Sequence, residues 1–187
     1  MSDALRTGIC NTVRALRDEG LLAGSQGNVS VRSGQGTLIT PTGVRAEDLA
    51  PRTIIELGPA GDVVGDGTPS GETPTHLALY RARPDAQAVV HAHGPWSVAW
   101  SFGRAELALD TEDLEAYAGG PIQIAPHHPT GSEMLAEAVV AALGPARHVV
   151  LMERHGLVAI GADLAEAFDR ALVIERLAQV AWLVLGR

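Results

Sequence analysis

Lysine is missing altogether: every one of the 14 basic residues is an arginine. A Schiff base needs a neutral side-chain amine, and lysine alone supplies one. Imine catalysis, lysine-anchored pyridoxal phosphate and a Walker A phosphate loop are therefore excluded. Cysteine is nearly missing too. A lone Cys10 forbids an intrachain disulfide and fits a reducing compartment. Aromatic residues make up 4% of the chain, so a core has to come from Ala, Val, Leu and Ile. Positive charge is scarce against negative, giving a net charge of −8. That argues against a nucleic-acid face and against a polybasic membrane patch. No basic region followed by an apolar run opens the chain, and no uncharged apolar stretch approaches the roughly 18 residues a membrane helix needs. A cytoplasmic protein with neither a nucleic-acid nor a membrane partner is the expectation.

What is present is enough to fold. The chain has 187 residues, 46% of them hydrophobic and 19% charged, which predicts one domain spanning 1–187. Residues 3–22 read as an amphipathic helix stopped by Gly24. Residues 28–32 and 37–40 read as a hairpin, as do 54–57 and 62–64. A helix is predicted from Pro74 to about Arg83 with Thr73 as its cap, and a second short one from Pro95. Strands are predicted at 87–93, 122–125, 148–152 and 157–160, and helices at 132–143 and 163–185. The segment 104–120 carries no clear period. Hairpins mixed with helices predict an α/β domain whose sheet is largely antiparallel. No Gly-x-Gly-x-x-Gly follows a strand, so a dinucleotide fold has no support.

The sharpest chemical feature is His91-Ala92-His93 at the end of an apolar strand. Residues i and i+2 share one face of a strand, so the two imidazoles can serve one metal. His155, in the turn Arg154-His155-Gly156, supplies a third nitrogen. Three neutral imidazoles leave a cation its full charge and an open position, the pattern of a catalytic centre. The run continues Gly94-Pro95-Trp96, which fails the metallo-β-lactamase pattern, and the chain is too short for an amidohydrolase barrel. Glu72, just before a helix start, is a candidate general acid/base, and burial there is expected to raise its pKa. Ser70, Gly27-Asn28 and Thr40-Pro41-Thr42-Gly43, the last expected to precede a short helix, resemble anion cradles of backbone N–H groups and small hydroxyls. His127-His128 reads as solvated surface, His76 and His148 as structural, and the three tryptophans as core or interface.

Taken together, five ordered motifs resemble the class II aldolase/adducin family. They are residues 25–32 (SQGNVSVR), 39–44 (ITPTGV), 69–80 (PSGETPTHLALY), 88–93 (AVVHAH) and 154–159 (RHGLVA), together spanning nearly the whole chain. The resemblance implies a three-layer α/β/α fold with a mainly antiparallel central sheet and a homotetramer with active sites between subunits. It implies that His91, His93 and His155 hold a divalent metal, usually zinc. Glu72 would act as acid/base and as a fourth ligand when substrate is absent. Gly27, Asn28, Thr42, Gly43, Ser70 and Gly71 would cradle the phosphate of a small phosphorylated sugar or related acid. The implied reaction is reversible cleavage of a short ketose phosphate to dihydroxyacetone phosphate and an aldehyde through a metal-stabilised enediolate. A 4-epimerase, decarboxylase or dehydratase of the same family is the alternative. Adducin-type scaffolds lack the metal histidines that stand here. Three departures are visible in the sequence. Gly71 stands where the family commonly has a second serine, Asp110, Asp113 and Tyr117 compete for the second acid/base, and the chain stops at Arg187, ahead of a tail that carries another tyrosine in many members.

Overall fold

The computed structural model describes residues 2–186. The first helix, α1 (Ser2–Asp18), buries Ile9, Val13 and Leu16 along one stripe. It ends earlier than the apolar spacing predicts. Gly20 takes a left-handed φ of 78°, its N–H donates to the Arg17 carbonyl, and the Leu21 N–H reaches back to Leu16. This pair of bonds is the helix stop that a glycine just past the end favours. Gly24, the predicted stop, sits beyond it in a turn.

Two hairpins follow, β1 (Asn28–Ser33) with β2 (Gly36–Ile39), and β3 (Ile55–Leu57) with β4 (Val63–Val64). The helix expected after Gly43 is absent. Turns occupy that stretch up to a short 3-10 segment at Pro51–Thr53. The remaining strands are β5 (Ala88–Ala92), β6 (Glu106–Leu107), β7 (Ile122–Ala125), β8 (Val149–Met152) and β9 (Gly156–Gly161). They form one sheet in the order β4-β3-β2-β1-β5-β9-β8-β7-β6. Of the neighbouring pairs only β7 and β8 run parallel, so the sheet is mixed and mostly antiparallel, as expected. The unassigned segment 104–120 supplies β6 and a π-helical turn at Leu114–Ala118.

Strand alternation splits the core in two. Val29, Val31, Val90, Ala92 and Leu157 pack with Ile9 and Leu16 of α1 and with Ala167 and Ile174 of α5 (Leu164–Leu185). Val89, Val150, Val158 and Ile160 pack on the other face with Leu79 of α2 (Thr73–Ala82) and with Leu135 and Val139 of α4 (Glu133–Leu143). Helices cover both faces, which gives the three-layer α/β/α arrangement. The short α3 (Pro95–Trp100) has no side-chain cap of its own. The buried Glu175 carboxylate of α5 accepts the Trp96 and Ser97 N–H groups at 2.7 and 3.0 Å instead. A negative charge at a helix start satisfies orphan donors and the helix dipole together. Trp100 is core, its ring N–H donated to the Glu106 carbonyl. Among the described residues no helix is long and apolar enough to cross a membrane.

Candidate active site

The start of β1, the end of β2, the end of β5 and the start of β9 all meet at one end of the sheet, because these four neighbours alternate in direction. In the register, His91 lies opposite both Asn28 of β1 and Val158 of β9. His93 follows immediately after β5, its N–H held by the Leu21 carbonyl at 2.9 Å. His155 lies in the tight β8–β9 turn, where Met152 pairs with Gly156. Gly156 is required there: a Cβ would sit 2.2 Å from the Ala92 carbonyl oxygen. That close approach brings the turn onto the end of β5. The three imidazole rings lie 4.6, 4.9 and 4.9 Å apart between centroids. The residue distant in sequence therefore joins the His-x-His pair.

Glu72 arrives from the opposite layer. The backbone after β2 bridges to the backbone before α2 at Pro41 and Pro69, and the Ser70 N–H donates to Thr40. This pins the start of α2 over the strand ends. Glu72, and not the predicted Thr73, is the cap residue, and it makes no side-chain cap bond. Its carboxylate is turned to the imidazoles, 2.8 Å from His91 Nε2 and 3.4 Å from His155 Nε2. Thr73 instead donates its hydroxyl to the Ser70 carbonyl. Ligand-type atoms of Glu72, His91, His93 and His155 all lie within 4.8 Å of one another.

The donor chemistry of this cluster fits a cation. His91 Nδ1 donates to the Leu157 carbonyl at 2.9 Å. A neutral ring so held presents only a lone pair at Nε2, and that buried atom has no hydrogen-bond partner. It nevertheless faces a carboxylate oxygen, another electron-pair donor, at 2.8 Å. A divalent cation resolves this juxtaposition. An imidazole oriented through its second nitrogen by a backbone carbonyl is the usual support of a metal ligand. Burial alone would lower the His91 pKa, but the adjacent Glu72 carboxylate overcomes it and holds the pKa above the ordinary value. Burial and the neighbouring imidazoles push His93 down to about 3, and the same causes lower His155, so both present neutral rings.

Glu72 departs from expectation. Burial does favour its neutral form, but His91, the Asn28 amide and His155 outweigh that, and the carboxyl is held well below the ordinary range. Burial is the expectation from sequence and is met; the sequence does not show that three positive or donating groups face the carboxylate.

A cavity of about 460 Å³ opens over the cluster. Gly27, Asn28, Thr42, Gly43, Ser70 and Gly71 all line it, together with Glu72, His93 and His155. Gly27 is held at φ 69°, and a Cβ there would collide with Leu22 and with the His91 carbonyl. The Ser70 hydroxyl accepts the Glu72 N–H at 3.2 Å, which leaves its own proton for the cavity. Gly71 has open space around its missing side chain. Five lining residues are not among the expected site residues: Ser25, Gln26, Pro41, Thr130 and Arg154. Arg154 has a left-handed φ of 59°, held by its N–H bond to the buried Ser101 hydroxyl at 2.8 Å. A charged residue beside a ligand histidine was the available signal. Asp110, Asp113 and Tyr117 do not line this cavity. The two aspartates are exposed, and Tyr117 borders a different hollow with Asp163 and Arg170. His127 is exposed as expected, whereas His128 is half-buried.

Comparison with known proteins places this fold and its histidine–glutamate cluster in a family. The family model described as class II aldolase and adducin N-terminal domain matches residues 7–182, and the chain belongs to that family. It is 37% identical over 184 residues to the 5-methylthioribulose-1-phosphate/5-deoxyribulose-1-phosphate aldolase of Rhodospirillum rubrum, covering 97% of this chain and 82% of that protein. It is 37% identical over 172 residues to the L-fuculose phosphate aldolase of Escherichia coli K12, covering 92% of this chain and 80% of the relative. A solved L-fuculose 1-phosphate aldolase superposes with a TM-score of 0.92 at 28% identity, over 98% of this chain and 88% of that one. Within the family the chain is an enzyme, a lyase of the aldolase type.

Proposed function

We propose that the protein is a metal-dependent aldolase that reversibly cleaves a short ketose phosphate to dihydroxyacetone phosphate and an aldehyde. The observation that carries this reading is the unpartnered His91 Nε2, facing a carboxylate inside a cluster of three imidazoles beneath a polar cavity. His91, His93 and His155 would hold the cation, with zinc the first choice for three nitrogen donors, and Glu72 would complete the set in the absence of substrate. A cation held there would supply Lewis-acid positive charge where negative charge develops on the substrate oxygens.

The chain's own groups do the rest. The backbone N–H groups of Gly27, Gly43 and Gly71 and the hydroxyls of Thr42 and Ser70 receive the phosphate, the arrangement open to a protein without lysine. Asn28 also lines this wall, but its side chain is already bonded to Glu72 and His76. With the phosphate so anchored, the carbon chain extends toward Glu72, which gives or takes the proton at the substrate carbon. The depressed pKa keeps Glu72 ionised. Arg154 also lines the cavity and is a candidate contact for the aldehyde end.

The same reading describes a cytoplasmic homotetramer built from a one-domain chain. Val180, Leu183, Val184 and Leu185 are exposed near the end of α5, with Phe102 exposed as well, which supports self-association. A site shared between subunits would draw its second acid/base from Asp110, Asp113 or Tyr117 of a neighbour.

Metal-loaded protein incubated with dihydroxyacetone phosphate and a panel of small aldehydes tests the reaction. A phosphorylated condensation product is expected. Its absence with every aldehyde would replace the aldolase reading with a 4-epimerase, decarboxylase or dehydratase on the same site.

A further inference from the structure

The face of β1 that meets α2 is polar. Asn28, Ser30 and Arg32 alternate with the apolar Val29 and Val31, and each of the first two is buried. Opposite them, α2 presents His76 and Tyr80, also buried. The spacing matches. Two strand residues advance about 6.6 Å, and four helix residues advance about 6 Å. Helix positions i and i+4 therefore stand over strand positions i and i+2.

The side chains join into one directed chain. Tyr80 and Ser30 hydroxyl oxygens are 2.9 Å apart, and Ser30 Oγ is 2.6 Å from His76 Nδ1. His76 Nε2 makes a short bond to Asn28 Oδ1, and Asn28 Nδ2 donates to Glu72 Oε2 at 2.8 Å. Each step fixes the polarity of the next. Glu72 is a carboxylate and can only accept, so Asn28 turns its NH2 toward it and its oxygen toward His76. His76 must then carry its proton on Nε2, leaving Nδ1 to accept from Ser30, which in turn accepts from Tyr80. Burial, with His91 nearby, pushes the His76 pKa down to about 3, so the ring stays neutral and keeps one tautomer.

We propose that His76 is a positioning residue for the reaction: through Asn28 it fixes the direction of the Glu72 carboxylate. This rests on the aldolase reading for its kinetic consequence, though not for the bonds themselves. The carboxylate has to serve both as a ligand and as a base. A fixed donor on Oε2 holds it at one place while its surroundings change. A packing histidine would have no such effect on turnover.

The test uses zinc-loaded enzyme and three variants. His76→Leu removes the donor to Asn28, His76→Gln restores an N–H at the same reach, and Tyr80→Phe removes only the far end. For His76→Leu, kcat is expected to fall roughly 10–100-fold, as for other partners one step from a catalytic group. KM for the ketose phosphate and the bound zinc per chain are expected to hold. His76→Gln recovers most of kcat, and Tyr80→Phe loses least. Unchanged kcat in His76→Leu, or a KM that rises as much as kcat falls, overturns the proposal. A second measurement stands if that variant does not fold. In wild-type holoenzyme labelled with nitrogen-15, His76 is expected to show a protonated Nε2 and a bare Nδ1 from pH 5 to pH 9. The reverse tautomer, or an imidazolium, overturns it. Should the wild-type enzyme cleave no ketose phosphate, the proposed reaction fails, and the nitrogen shifts still uphold or overturn the chain of bonds.

Discussion

The two faces of the sheet are built on different principles. Under α1 and α5, the strands offer Val29, Val31, Val90, Ala92 and Leu157, which join one apolar cluster with those helices. Under α2, the same strands offer Asn28, Ser30 and His91, each bonded to a specific neighbour. The first face can tolerate rearrangement of similar volumes, because dispersion and burial have little direction. The second cannot, because a buried polar group that loses its partner pays the whole desolvation cost. The alternation of one strand, β1, thus places stability on one side and chemistry on the other.

Substitutions on the two faces should separate along that line. The largest effect belongs to Glu72→Gln, which keeps the hydrogen-bonding shape but not the base. Turnover is expected to fall by roughly 10²–10⁴-fold, while zinc per chain, read by elemental analysis, persists. Equal turnover in that variant would remove Glu72 from the mechanism. On the apolar face, Ile174→Ala empties a fully buried site. Denaturant unfolding is expected to show a loss of about 2–5 kcal/mol, with kcat of the folded protein preserved. A variant that loses turnover without losing stability would break the division.

The pH dependence of stability gives a smaller and more selective signal. His76 binds a proton in the unfolded chain near pH 6.5 but in the folded protein only near pH 3. Between these values the unfolded state holds more protons, so stability falls as pH falls. The contribution of this one group is about 1 kcal/mol per pH unit. Between pH 6.5 and 4.5, His76→Gln should therefore show a shallower decline than the parent in parallel denaturant titrations. Identical slopes would mean that the ring is charged in the folded protein.

Much of the site was legible because short local rules generate it. His91 and His93 share a strand face by alternation alone, and the turn at His155 follows from two apolar runs around Gly156. The hairpins were readable from their glycines, and the sheet class from the mixture of hairpins and helices. What stayed hidden depends on elements that meet only in three dimensions. Nothing near Asn28 in sequence announces His76, because α2 has to cross β1 before their side chains meet. The cap of α2 was misassigned to Thr73 because the preference for a hydroxyl cap is local, whereas Glu72 is drawn away by imidazoles from β5 and the β8–β9 turn. The same distant partners reverse the pKa shift that burial alone predicts. The end of α1 was misplaced for the opposite reason: Gly20 stops the helix locally, while the apolar Leu21 and Leu22 continue its hydrophobic pattern into the core.

The most direct test of the account is calorimetric zinc titration of the metal-free protein beside His155→Ala. The parent is expected to bind one ion per chain, and the variant to lose affinity by more than the roughly 10–100-fold typical of outer partners. Zinc binding of equal strength in the two proteins would mean that the three imidazoles do not share a metal.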